Sequence, residues 1–149
     1  MELQVRNARV TDVDGITALL SAQGPVGAAR DMDTDADMLR PLVYLPNATI
    51  VVALAGRKVV GAAMLALRPS VDHGGLVGTI DLLATDPELD EEVVTGSLLP
   101  EVIRSARNKG CVRVEVEPGV DRSARWSDWG FREEPPRLAL QIATVALQR

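Results

Sequence analysis

The sequence ATIVVALAGRKVVGAAMLAL, residues 48–67, contains two apolar runs on either side of the four residues Ala-Gly-Arg-Lys at 55–58. The first run, 48–54, is rich in β-branched residues, which favour strands. Two apolar runs that flank a short turn with a glycine are typical of a β-hairpin. We therefore predict an antiparallel pair of strands over 48–54 and 59–67.

The chain that follows the hairpin has the pattern of further strands around one helix. LVGTIDLLAT, residues 76–85, predicts a third strand, and VRVEVE at 112–117 alternates strictly, as a half-buried strand does. Residues 86–96 are acidic and irregular. Helical spacing then predicts a helix over 97–110 that ends at Gly110, because glycine often follows the last helical residue.

The two ends of the chain supply the remaining elements. Leu3 to Arg6 alternate as in a strand, and Thr11-Asp12-Val13-Asp14 has the form of a capping box, with Thr11 as N-cap and Asp14 reaching back. The helix that follows should run to about Gln23, and a weaker helix lies within 30–42. We further predict a short helix over about 121–129 and the last strand or strands within 136–147.

This order of elements predicts an α+β fold, a mixed α/β sandwich whose front half is largely antiparallel. The length of 149 residues fits a single domain, residues 1–149. A net charge of −5 is opposite to that of a nucleic-acid binder, and no apolar run is long enough to cross a membrane. The one cysteine excludes a disulfide framework within the chain, so we expect a cytoplasmic protein.

Four segments resemble the GNAT superfamily of N-acetyltransferases in the order that the family has them. They are VRNARVTDVDGITALL (5–20), LLATDPEL (82–89), LLPEVIRSARNKGCVRVEVE (98–117) and WSDWGFREEP (126–135). The resemblance covers nearly the whole chain and implies the acyl-CoA N-acyltransferase fold, a central, mostly antiparallel twisted sheet flanked by helices. It also implies acetyl-CoA as the cofactor and an amine as the acceptor.

The family binds the pyrophosphate of acetyl-CoA in a loop that reads Gln/Arg-x-x-Gly-x-Gly/Ala, where glycines let the backbone amides approach the anion. In this chain the three diagnostic positions fall on Asp90, Val93 and Thr95. An acid replaces the basic or amide side chain, and β-branched residues replace the glycines. The loop is therefore degenerate.

Acidic residues surround this loop. No Lys or Arg lies between Arg68 and Arg104, whereas eight acids do. Asp90, Glu91 and Glu92 stand where the phosphates should bind, although acids there also complement a helix N-terminus. Because Pro100 costs about 3 kcal/mol inside a helix, we expect this helix to begin near Ser97, with Thr95 or Ser97 as its cap.

The residues that the resemblance assigns to chemistry are few. The general-acid Tyr of the family falls on Trp126, whose indole donates a hydrogen bond but is no proton donor at useful pH. Asp81 is a candidate general base, although most such strand acids are solvated or pair with an Arg. If acetyl-CoA binds, the resemblance implies contacts from the backbone around Leu83 to Thr85 and from the amides of Thr95, Gly96 and Ser97.

No metal site emerges from the sequence. Asp31, Asp33, Asp35 and Asp37 alternate like a calcium loop, but the sixth position is Ala36 and the twelfth is Leu42. The EF-hand template requires glycine and glutamate there. A solvated acidic face is the better interpretation.

Three functional hypotheses remain open at this point. The first is a GNAT-like protein with a degenerate cofactor site and a binding or regulatory role, and it predicts no measurable affinity for CoA. The second is an active N-acetyltransferase with a rebuilt loop, acting on a small-molecule or peptide amine. The third is a cleft whose acidic loop receives a cation or amine. A homodimer is the default expectation for a fold with an exposed sheet edge.

Overall fold

The computed structural model describes residues 2–23, 31–120, 126–134 and 138–142. Within these residues, five strands form one mixed sheet in the order β1-β2-β3-β4-β5. The strands are β1 (Gln4–Asn7), β2 (Ala48–Ala55), β3 (Lys58–Ser70), β4 (Gly75–Thr85) and β5 (Cys111–Val116). The first four are antiparallel neighbours, and β5 is parallel to β4. The predicted hairpin and the α+β class are confirmed.

In the described part of the chain, three α-helices cover the two faces of the sheet. They are α1 (Val13–Gln23), α2 (Met32–Leu42) and α3 (Glu91–Asn108). Helices α1 and α2 pack on one face and α3 packs on the other. Successive side chains of a strand point to opposite faces. Along β2, the side chains of Ile50 and Val52 therefore pack with α1 and α2. Those of Val51 and Ala53 pack with α3, which explains why this strand is apolar without interruption.

The predicted cap of α1 is wrong. A short 3₁₀ turn, Val10–Asp12, precedes the helix, and Asp12 rather than Asp14 reaches back, since its Oδ2 accepts from the Arg9 N–H at 2.7 Å. Asp12 is buried and also receives the guanidinium of Arg6. The sequence pattern did not show this contact with Arg6, because Arg6 belongs to a different element, β1. The end of α1 at Gln23 is confirmed.

The C-terminal predictions are met only in part. The predicted helix over 121–129 is a 3₁₀ turn at Trp126–Trp129, and 121–125 lie outside the described residues. Residues 138–142 form no strand, so the prediction for 136–147 is wrong there. Their apolar side chains are exposed rather than packed, although they alternate as in a strand. The other residues of that range lie outside the described part.

Candidate functional site

The strands β4 and β5 separate near the carboxyl end of β4. Strand β5 pairs with β4 over Leu76 to Ile80, and the Glu117 N–H donates to the Ile80 carbonyl at 3.0 Å. Asp81 is the next residue, and it is the extra residue of a bulge in the pairing with β3. A bulge bends its strand and increases the twist. Beyond it, β3 is the only described strand that pairs with β4, so this edge of β4 is not covered by β5.

Backbone amides point toward this uncovered edge. The Asp86 N–H donates to the Val60 carbonyl of β3 at 2.8 Å. Because N–H groups alternate in direction along an antiparallel strand, those of Leu83 and Thr85 point away from β3. The Thr85 N–H donates instead to Oε1 of Gln23, the last residue of α1, at 2.8 Å. A side chain 62 positions away in the sequence therefore accepts the hydrogen bond of one amide at this edge.

The loop after β4 leads into the N-terminus of α3. Asp90 is the N-cap, and its Oδ1 accepts from the Glu92 N–H at 3.0 Å. Its backbone oxygen accepts from the N–H groups of Val93 and Val94 at 3.1 and 3.2 Å. Glu91 and Glu92 add two carboxylates to the first turn. Amides of the first turn are thus bonded within the protein, next to acids that complement the helix dipole.

The predicted start of this helix near Ser97, with Thr95 or Ser97 as cap, is wrong. The helix begins at Glu91, and Pro100 lies inside it. Proline removes the donor for the Gly96 carbonyl, at a cost of about 3 kcal/mol. The helical register buries Val94, Leu98 and Leu99 completely. Each such side chain contributes about 1.5–3 kcal/mol, so packing outweighs the proline.

The residues that the family resemblance assigns to the cofactor lie on two elements. Leu83 and Thr85 are on the uncovered part of β4, whereas Thr95, Gly96 and Ser97 lie inside α3. Thr95 is buried, and its hydroxyl has no hydrogen-bond partner within the described residues. The Ser97 hydroxyl donates to the Val94 carbonyl at 2.7 Å. Of the three diagnostic positions, Val93 and Thr95 are therefore helical rather than part of a loop, and Asp90 is the N-cap of the helix.

Asp86 fixes the turn between β4 and α3. It is buried, with Oδ1 accepting from the Glu88 N–H at 2.9 Å and Oδ2 lying 3.2 Å from Nζ of Lys58. The Glu88 N–H and, after it, Lys58 outweigh burial and hold the pKa of the Asp86 carboxyl below its ordinary value of 3.8. The sequence pattern alone does not assign Asp86 this role in the turn. The sequence Asp86-Pro87-Glu88 does indicate it, because the carboxylate of an Asp that begins a turn often accepts a hydrogen bond from the amide two residues later.

The candidate general base, Asp81, and the residue aligned with the family's general acid, Trp126, are differently placed. Asp81 is exposed at the bulge of β4. Trp126 packs edge-on against Phe131, with ring centroids 5.3 Å apart and an interplanar angle of 76°, and both rings contact the core under α3. The chain's one tyrosine, Tyr44, is 72% exposed and precedes β2 at the opposite end of the sheet from Thr85.

Two of the acids that alternate over 31–37 make local structural contacts in α2. Asp31 is the N-cap of α2, and Asp37 pairs with Arg40. No group of three or more potential metal ligands comes together in the described ranges. A pocket of about 230 Å³ beside Thr49 and Ser105 lies at the far end of the sheet from Thr85.

None of the helices in the described part is both long and apolar enough to span a bilayer.

Comparison with known proteins identifies the fold. No family model matches the sequence, and no curated protein sequence matches it. Among solved structures, a probable acetyltransferase superposes with a TM-score of 0.80 at 20% identity, over 94% of this chain and 98% of that one. A predicted acetyltransferase from Clostridium acetobutylicum, described with acetyl-CoA, gives 0.78 at 14% identity, over 94% and 96%.

A third structure is an integron cassette protein from the mobile metagenome of Cole Harbour Salt Marsh. It has a TM-score of 0.79 and 27% identity, over 95% of this chain and 90% of that one. Many of the other matching structures are GNAT acetyltransferases that cover most of the chain. The chain therefore has the GNAT acetyltransferase fold, as the sequence resemblance predicted.

Proposed function

We propose that this chain is a GNAT-fold, acetyltransferase-like protein with a degenerate acetyl-CoA site, weak or absent acetyl transfer, and a binding or regulatory role. One observation carries the proposal. The carboxylate of Asp90 caps α3 and accepts the Glu92 N–H at the place where the family resemblance expects the pyrophosphate. An amide that is bonded to the protein's own carboxylate is no longer a donor for an anion.

Charge supports the same conclusion. A diphosphate that approached the first turn of α3 would meet Asp90, Glu91 and Glu92. Each like-charge contact at about 4 Å costs on the order of 1–4 kcal/mol at water-like to surface-like dielectric. Several such contacts offset much of the affinity that the fold would otherwise give acetyl-CoA.

The general-acid position supports weak transfer independently of binding. A departing thiolate is best protonated by a group whose pKa lies near its own, as a tyrosine's does. The family resemblance aligns Trp126 with that position, and its ring packs against Phe131. An indole N–H cannot deliver a proton to the sulfur.

Calorimetric titration and thermal unfolding with 1 mM acetyl-CoA test the proposal. We expect no heat of binding and no change in melting temperature for the wild type. A variant that restores the pattern, Asp90→Gln with Val93→Gly and Thr95→Ala, should gain affinity. Asp31→Asn is the matched control, because Asp31 caps α2 in the same way. A wild-type Kd of about 10 μM would add about 2.7 kcal/mol of stability at this concentration and would overturn the proposal.

An active N-acetyltransferase is the alternative, and the separation of β4 from β5 favours it. Beyond Asp81, the amide of Leu83 points toward an incoming ligand even without a phosphate loop, and the amide of Thr85 becomes available once Gln23 moves away. Acetyl-CoA would then bind mainly along β4, with Asp81 as candidate general base. Thiol release from acetyl-CoA with a panel of primary amines distinguishes the two functions. Turnover that Asp81→Asn abolishes would establish the alternative.

We further infer a single cytoplasmic domain that forms a homodimer and binds a small-molecule or protein ligand, without nucleic-acid or membrane partners. The net charge of −5 supports the absence of nucleic-acid binding. The outer edge of β1 supports self-association, since only its inner edge pairs with a described strand. Light scattering behind size exclusion measures the mass directly, and a monomer at 100 μM would contradict the homodimer.

A further inference from the structure

We propose that Oε1 of Gln23 occupies the position where a carbonyl oxygen of an extended, amide-bearing ligand binds to β4, so that this side chain competes with the ligand. The contact is between Oε1 of Gln23 and the backbone N–H of Thr85, 2.8 Å apart. The inference rests on the proposed function and its alternative only for the place of the ligand, which is the edge of β4. It does not depend on whether the α3 N-terminus accepts phosphate.

Burial explains why the Thr85 amide needs an acceptor. Thr85 is 7% exposed, and a buried N–H without a partner is costly. Strand β5, which would supply a carbonyl, ends its pairing at Ile80. The carboxamide of Gln23 satisfies the amide from the last residue of α1.

The geometry of the edge indicates the chemistry of the ligand. Strands bind extended chains through N–H and C=O groups of every second residue. Leu83 and Thr85 are two residues apart and have the same orientation, so a chain that lies along β4 would meet both. A ligand carbonyl at Thr85 must displace the carboxamide of Gln23, which then swings away with α1 in place.

Pantetheine is the probe, because it is an extended, neutral chain with two amides and no phosphate. Its affinity is measured by NMR titration of the ¹⁵N-labelled protein. Gln23→Met removes the acceptor at similar size and should raise the affinity by about 2- to 10-fold. That factor corresponds to a net hydrogen bond of about 0.5–1.5 kcal/mol. Gln23→Glu keeps an acceptor, binds the amide more tightly and should lower the affinity.

Two further measurements separate competition from a purely structural role. Exchange of the Thr85 amide with solvent should become faster in Gln23→Met and slower in Gln23→Glu. Gln4→Met, at an exposed position of β1, is the matched control and should change neither exchange nor affinity. Equal or weaker pantetheine binding by Gln23→Met would overturn the inference, and so would the absence of pantetheine binding by every variant. Tight binding of acetyl-CoA by the wild type would instead overturn the degenerate-site proposal.

Discussion

Arg6 and Asp12 form a two-point ion pair that joins the first strand to the start of α1. Nη1 of Arg6 lies 2.6 Å from Oδ2 of Asp12, and Nη2 lies 3.1 Å from Oδ1. Burial raises the pKa of the Asp12 carboxyl, but the hydrogen bonds from Arg6 and from the Arg9 N–H outweigh it and hold the pKa below the ordinary value of 3.8. The folded protein therefore favours the ionised carboxylate.

Asp12→Asn should destabilise the protein by about 2 kcal/mol at pH 7, because a buried, charge-assisted pair is lost. The pKa of Asp12 is lower in the folded than in the unfolded state. Its contribution is therefore complete at neutral pH and is lost as the pH falls below about 5. Urea unfolding at pH 7 and pH 3 should show a difference between the two proteins that shrinks in acid.

The exposed neighbour Asp14 provides the control for this substitution. Asp14→Asn changes the same charge two positions along the chain and should leave the free energy of unfolding within about 0.5 kcal/mol of the wild type. An equal loss of stability for both variants would mean that net charge, not the pair, sets the effect.

Gly61→Ala should destabilise the protein by about 1–3 kcal/mol. A Cβ at this position of β3 would lie 2.4 Å from Cγ1 of Val94 and 3.1 Å from Cδ1 of Leu98. Val94 is fully buried, so it has no room to move aside. Chemical denaturation measures the change, and the double variant with Val94→Ala should lose less stability than the two single changes together.

Gly96 in α3 is the opposite case. A Cβ there meets no atom within 4 Å, and the position lies inside a helix. Gly96→Ala should therefore stabilise the protein by about 0.5–1 kcal/mol. A Gly61→Ala variant as stable as the wild type would contradict the close approach of α3 to β3, and a destabilised Gly96→Ala variant would contradict the open space at Gly96.

The sequence predicts the sheet well because β2, β3 and β4 carry long apolar runs whose meaning does not depend on distant residues. It predicts the N-terminus of α3 badly. Local propensity disfavours a helix here because of Pro100 and the irregular acidic residues. The helix forms nevertheless, because Val94 and Leu98 pack against the sheet.

The candidate site shows the same division. The diagnostic positions Asp90, Val93 and Thr95 can be read directly from the sequence once the resemblance gives the alignment. The contact of Gln23 with Thr85 cannot, because it joins residues 62 positions apart through one side chain. The bulge at Asp81 is likewise invisible, since no glycine or proline marks it.

Pro100→Ala should stabilise α3, because it restores the donor for the Gly96 carbonyl at an exposed position where no packing is lost. We expect a gain of about 1–3 kcal/mol, and a melting temperature higher by several degrees for a chain of this length. Arg107→Ala, on the exposed side of the same helix, should change little. No rise in melting temperature for Pro100→Ala would mean that the helix has relaxed fully around the proline.

Arg113 on β5 joins two carboxylates, and its removal should raise the pKa of both. Its Nε donates to Oε2 of Glu115 at 2.8 Å, and its Nη2 donates to Glu134, beyond the 3₁₀ turn. The hydrogen bonds from Arg113 hold the pKa of both carboxyls below the ordinary value of 4.5, at Glu115 against the effect of burial.

In Arg113→Gln, NMR titration of the side-chain carboxyls should show both pKa values rising toward 4.5. Arg68→Gln is the matched control. Arg68 lies 3.5 Å from Glu115 and lowers its pKa less than Arg113 does, so this substitution should raise the pKa of Glu115 by less and leave that of Glu134 unchanged. An unchanged pKa of Glu134 in Arg113→Gln would mean that the segment after Trp129 is not held against β5 in solution.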